Sequence, residues 1–163
     1  MRLLTMHHKT TTNPESFRAG RKPALAIALV AILGLTHPAL AATKLHLIEH
    51  STTDAITDLG EKGDSAGDLL TLSNDMFATD NKTKVGSDNG YCIRTVAGKA
   101  WECFWTLSLA KGQITTEGPY LDGGDSVLAI TGGTGAYSNV RGEMALHKRD
   151  AKGTEYDFIY TLK

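Results

Sequence analysis

From Ala42 onward the sequence is a succession of short alternating runs broken by glycine or Asx turns, and no stretch of twelve residues carries a 3.6-residue period. Strict alternation sends neighbouring side chains to opposite faces, so each run is built to bury one face of a strand. Glycine is frequent in this region, fifteen of 122 residues, and Pro119 is its single proline. The pattern predicts an antiparallel all-β protein.

The expected strands are Lys44–Glu49, Leu69–Phe77, Tyr91–Val96, Ala100–Leu109, Gln113–Tyr120, Ser126–Thr131, Arg141–His147 and Glu155–Leu162. Leu70, Leu72, Asn74 and Met76 share one face of the second run. Trp101, Cys103, Trp105, Leu107 and Leu109 share one face of the fourth, and Tyr156, Phe158, Tyr160 and Leu162 one face of the last. Asp88-Asn89-Gly90 reads as a turn, and Gly132-Gly133-Thr134-Gly135 as a bend. About eight strands suffice to close a barrel with room for one small ligand. A two-sheet sandwich is the structural alternative.

The N-terminal part is of another kind. Arg18, Arg21 and Lys22 precede an apolar run from Ala24 to Leu35, and Ala39-Leu40-Ala41 forms an A-x-A exit. That is the build of a secretory signal peptide, residues 1–41, with cleavage expected after Ala41 and a mature domain over 42–163. Twelve apolar residues are too short for a spanning helix, which needs about 20; an uncleaved anchor is the alternative. The mature chain is expected to be secreted or periplasmic, with no membrane span. Five of the 17 basic and one of the 18 acidic residues lie in the leader, leaving 12 against 17 and a net charge of −5. Such a charge gives no field that attracts nucleic acid.

Export places Cys92 and Cys103 in an oxidising compartment, where a disulfide is the default. If Ala97-Gly98 forms a two-residue hairpin loop, the two cysteines stand directly opposite, within bridging distance. Two buried free thiols are the alternative.

The glycine cluster at 132–135 lacks a G-x-G-x-x-G or P-loop pattern and precedes a strand rather than a helix, so a bend is the better reading. His46, His50 and His147 are spaced as solvent-facing residues rather than metal ligands. Asp122 and Asp125 are too few for a calcium loop. No Ser-His-Asp arrangement stands out. No metal and no cofactor is therefore expected. The informative residues are polar ones on faces otherwise built for burial: Asn74 among Leu70, Leu72 and Met76, and Glu49 after Leu47. A buried lone amide must be satisfied, by a neighbouring backbone group or by something functional.

The run Glu117-Gly118-Pro119-Tyr120-Leu121, followed by Asp125-Ser126-Val127-Leu128-Ala129-Ile130-Thr131-Gly132-Gly133-Thr134-Gly135-Ala136-Tyr137, resembles the plant allene oxide cyclases. The dirigent proteins of the wider superfamily share the T-G-G-T-G bend. The resemblance extends more weakly from about Lys44 to Lys163. It implies an eight-stranded antiparallel β-barrel of calycin-like, allene oxide cyclase/dirigent type, with an apolar cavity and often a homotrimeric assembly. It also implies site residues. Glu49 matches a cavity glutamate that stabilises developing positive charge, and Asn74 an asparagine that helps hold a water against an oxyanion. Cys92 and Tyr120 match a cavity cysteine and tyrosine. Ser51 stands where the cyclases have a second water-holding asparagine, and their Ser-Pro pair is missing from Ser51–Asp58.

Three functions fit these features. A binding or steering barrel would hold a small apolar or amphipathic molecule against Trp101 or Trp105, with Glu49, Asn74 and Tyr120 orienting its polar end. An isomerase or cyclase would use Glu49 and a water held by Asn74 and Ser51. A barrel filled by its own aromatic side chains would serve as a structural or interaction module.

Overall fold

The structure, a computed structural model, describes residues 42–163; the expected leader and its cleavage site lie outside the described residues. The described residues form nine strands: β1 (Thr43–His50), β2 (Ala55–Thr57), β3 (Leu69–Phe77), β4 (Lys84–Val96), β5 (Ala100–Leu109), β6 (Gly112–Leu121), β7 (Ser126–Gly133), β8 (Gly142–Lys148) and β9 (Glu155–Leu162). A single 3-10 turn, Gly135–Tyr137, lies between β7 and β8. The hydrogen-bonded order is β1-β9-β8-β7-β6-β5-β4-β3-β2, all antiparallel, and β3 also pairs with β1. That last pairing closes the sheet, so β1 and β3 to β9 form an eight-stranded barrel, as the strand count and the resemblance implied. The sandwich alternative falls away.

The interior is assembled by alternation. Leu70, Asn74 and Met76 of β3 are buried, as are Trp101, Cys103, Trp105 and Leu107 of β5 and Tyr156, Phe158 and Tyr160 of β9. These are the faces the alternation marked out. Met76, Leu107, Ile114, Ile130, Met144 and Tyr160 fill the end at which β3 finishes and β6 begins. The wide face of β5 therefore supplies core along the whole barrel.

One turn expectation is corrected. Asp88-Asn89-Gly90 is no turn but the middle of β4, which begins at Lys84 rather than Tyr91. The composition that resembles a turn has another origin. Asp88 points inward and is fully buried, while Asn89 lies on the outer face and hydrogen-bonds Ser73 at 2.6 Å. Gly90 is there for space: a Cβ would stand 2.4 Å from the Phe104 carbonyl oxygen and 2.4 Å from Trp105 Cβ. β4 can approach β5 this closely only without a side chain.

The Cys92–Cys103 disulfide forms across β4 and β5, whose register pairs the two residues directly. The two-residue loop expected between them is corrected to three residues, Ala97-Gly98-Lys99, with the register shifting between Arg94 and Val96. The extra loop residue is absorbed by that bulge, so the cysteines keep their opposition. Beyond the disulfide, Arg94 is buried beneath the end of the hairpin. Its guanidinium lies 3.9 Å over the Trp101 ring and contacts Asp64 at 2.6 Å and Asp122 at 2.7 Å. Three groups thus tie the connection before β3 and the loop after β6 to β4.

Gly90→Ala should destabilise the barrel by about 1–3 kcal/mol, because the methyl group meets a backbone carbonyl that cannot move without breaking the β4–β5 ladder. Urea denaturation of the two proteins measures it; equal midpoints would show that β4 has room to shift.

Candidate functional site

The barrel has a seam. β1 pairs with β3 only through Ile48–Phe77, Glu49–Met76 and His50–Asp75, and then departs. β2 takes over the same edge of β3 further along, at Leu69–Thr71. Between the two pairings the chain from Ser51 to Asp54 makes no ladder with β3, and the N–H groups of Thr52 and Thr53 would be orphaned there. Asn74 fills the gap. Its Oδ1 accepts from Thr52 N–H at 3.1 Å, Thr53 N–H at 3.0 Å and the Thr53 hydroxyl at 2.9 Å. Its Nδ2 donates to Glu49 at 2.8 Å and Asp54 at 2.7 Å. Ser73 N–H completes the seam by donating to Thr53 Oγ1 at 2.8 Å. The odd amide on an apolar face is therefore satisfied by the protein alone, by the backbone on one arm and by two carboxyl groups on the other.

Those carboxyls are part of an acidic cluster. Glu49 is 5% exposed, and Asp88 stands on β4 directly across from Asn74 with no exposure at all. Burial raises the Glu49 carboxyl from the usual carboxylate range to about 7; the Asn74 amide partly offsets this, and the Asp54 charge adds to it. Asp88 is raised well above its ordinary value, first by burial and then by Glu49. Desolvation disfavours the charged form of each, and their mutual repulsion acts in the same sense.

The cluster lies at the edge of a pocket at the end of the barrel where β1 finishes and β3 begins. Glu49, Asp54, Leu70, Leu72, Cys92, Trp105, Tyr120, Leu146, Tyr156 and Phe158 line it. The space open to the centre of a water-sized molecule is ≈ 40 Å³, a narrow slot rather than a wide cavity. Its walls are mostly apolar and aromatic. Trp105 stacks on Phe158 at 5.6 Å, and Tyr120 meets Tyr156 edge-on with their hydroxyls 3.1 Å apart. Burial and that contact keep the Tyr156 phenol neutral far above physiological pH. The barrel is thus filled by its own side chains over much of its depth, yet keeps a pocket at one end.

Of the residues singled out from sequence, Glu49, Cys92, Tyr120 and Trp105 line this pocket, and Asn74 stands behind Glu49. Cys92 contributes a disulfide sulfur, not a thiol. Trp101 is not among the lining residues; it is the platform for Arg94. Ser51 is not among them either: it is half-buried, and its backbone N–H donates to the Thr154 carbonyl. Its place near Asn74 is taken by Thr52, Thr53 and Asp54. Asp122, once weighed as a calcium ligand, holds Arg94 instead. Sequence reasoning missed Asp54, Asp88, Tyr156 and Phe158 as site residues. For Asp88 a signal existed, since 88, 90 and 92 alternate onto one face if 84–96 is read as a single strand.

Comparison with known proteins agrees with this geometry. The family model of allene oxide cyclase matches residues 47–160, which runs from β1 to β9. The chain belongs to the allene oxide cyclase family. Among solved structures, a pyocyanin demethylase is 26% identical with a TM-score of 0.66, over 74% of this chain and 100% of that one. A pterocarpan synthase dirigent protein is 18% identical with a TM-score of 0.61, covering 74% and 95%. An exo-specific intermolecular Diels-Alderase is 12% identical with a TM-score of 0.60, covering 74% and 97%. At such identities the last two share the fold, and a fold alone carries no reaction.

Glu49 makes the stability of this family member depend on pH in a defined sense. Its folded-state pKa lies above its unfolded value, so the folded chain keeps a proton that the unfolded chain releases. The stabilising contribution is complete below about pH 4.5 and is lost as pH rises through about 7. Relative to Glu49→Gln, the native protein should lose at most about 3 kcal/mol over that interval. Paired denaturation curves between pH 4 and 8 check it; a difference that does not change with pH would place Glu49 in water.

Proposed function

We propose that this barrel binds a small, largely apolar and flat molecule in the pocket beside Glu49 and steers the conformation in which it reacts. What supports the reading is one observation: the Glu49 carboxyl is held, almost fully buried, at the edge of a slot walled by aromatic and aliphatic side chains. Aromatic walls restrict a bound conjugated molecule to few conformations, and that restriction is itself a large part of selectivity in cyclisation. The pocket lining includes two acids and no base. A ligand carrying a carboxylate would meet Glu49 and Asp54 at close range, so the site favours a neutral or cationic molecule.

Catalysis is a second reading, favoured by the same carboxyl. A group poised near neutrality serves as a proton donor in one form and as a partner for developing positive charge in the other. This corresponds to an isomerase or cyclase, with Glu49 acting, Asn74 positioning it and Tyr120 and Tyr156 orienting a polar end of the substrate. Family membership and the family's cyclase description support it. No cofactor is part of either reading. The N-terminal pattern supports export, and assembly into a homotrimer, as the resemblance implied, belongs to the same proposal.

Tryptophan fluorescence separates the outcomes. Trp105 lines the pocket and Trp101 does not, so Trp101→Phe leaves one reporter. Titration with a planar aromatic cation such as N-methylacridinium should quench Trp105 with an affinity that rises roughly tenfold as Glu49 ionises through pH 7. Glu49→Gln should remove the pH dependence while keeping binding. An anionic dye such as anilinonaphthalene sulfonate binding as tightly as the cation at pH 8 would contradict the proposed ligand class.

A further inference from the structure

Asp88 has surroundings that no carboxylate tolerates. It is fully buried, and neither of its carboxyl oxygens has a hydrogen-bond partner of good geometry. Three further buried polar groups are unpartnered in the same way: Trp105 Nε1 on β5, the Thr116 hydroxyl on β6 and the Tyr160 hydroxyl on β9. Tyr160 faces Trp105, Thr116 and Asp88, and burial keeps its phenol neutral. The titratable groups facing Asp88 are Glu49 from β1, Asp54 from the seam and Tyr160 from β9. No cation is among them. Arg94, the buried cation of the same strand, is committed to Asp64 and Asp122.

An ionised Asp88 would thus add an unpaired, desolvated charge to a site already holding two acids, which burial strongly disfavours. A neutral Asp88 carries one O–H and needs an acceptor. Glu49 offers one: its carboxyl is fixed on the Asn74 amide, and Asn74 is the cross-strand neighbour of Asp88. We propose that Asp88 is a neutral carboxylic acid that donates its proton to Glu49, making the two a proton-sharing pair in which only Glu49 faces the pocket. Asp88 is then a positioning residue. It holds the Glu49 carboxylate by a charge-assisted hydrogen bond and sets the pH at which that group changes form. Trp105, Thr116 and Tyr160 present the polar lining behind the pair.

This inference deepens the role given to Glu49 but requires no ligand, so it stands or falls separately from the proposed function. The test is 13C NMR of the unliganded protein labelled at the Asp and Glu carboxyl carbons, from pH 4 to 9. Asp88 is assigned by the resonance that disappears in Asp88→Asn, a near-isosteric change. In the native protein the Asp88 resonance should remain in its protonated position through pH 8 while Glu49 titrates near 7. In Asp88→Asn the amide still donates, and Glu49 should titrate within about half a unit of native. In Asp88→Ala the donor is lost, and the proton affinity of Glu49 should rise roughly tenfold. An Asp88 resonance that titrates near 4, the ordinary aspartate range, overturns the proposal even if Asp88→Ala does not fold. So does a Glu49 midpoint that is the same in native and Asp88→Ala proteins.

Discussion

Five hydrogen bonds to one asparagine fill the seam at which this barrel closes. Asn74 sits where β3 changes partner from β1 to β2, and its carbonyl oxygen receives the N–H groups that the missing ladder leaves over. The same side chain donates to Glu49 and Asp54. The seam and the site are therefore one construction. A backbone discontinuity that an eight-stranded barrel must close becomes the means of fixing two carboxyl groups beside its interior. A shorter side chain would leave the seam open, and an apolar one would leave five partners unsatisfied in a region with little water.

The electrostatic character of the pocket follows from that arrangement. Glu49, Asp54 and Asp88 are gathered around a neutral amide rather than a cation. The one buried guanidinium among the described residues is spent on Asp64 and Asp122, where it ties loops to β4. Burial and mutual repulsion raise the Glu49 and Asp88 carboxyls above the ordinary carboxylate range. Aromatic walls enclose the result: Trp105 and Phe158 in a stack, Tyr120 and Tyr156 joined through their hydroxyls. The site is acidic yet mostly apolar in its lining.

How far the sequence shows this varies from strand to strand. β3, β5 and β9 are legible to the residue, because in each an apolar side chain recurs at nearly every second position on the inner face. β4 is not. Asp88-Asn89-Gly90 has the composition of a turn, and each residue is there for a tertiary reason: an inner acid, an outer link to Ser73, and a place where β5 comes too close for a Cβ. Local composition cannot distinguish these causes. Asn74 is visible as a polar residue on a buried face. Its partners are not, because the seam brings together segments some twenty residues apart that no periodicity connects. Asp54 is hidden for the same reason, in a stretch that reads only as a polar loop. Trp101 and Trp105 share a face and an identity, and their depth along β5 decides their roles: Trp101, at the rim beside the hairpin, supports Arg94, and Trp105, deeper in the barrel, lines the pocket.

The pocket beside Glu49 is proposed to hold a small molecule. Native mass spectrometry of the protein purified from its own producing cells addresses this without assuming any ligand. The expected result is a mass excess over the disulfide-bonded chain that is released on denaturation, identified as a flat neutral or cationic molecule, and weakened by a bulky substitution in the pocket wall such as Leu72→Trp. A bare polypeptide mass under gentle ionisation, together with no uptake of aromatic probes by the purified protein, would contradict it and leave a barrel whose acids serve only its seam.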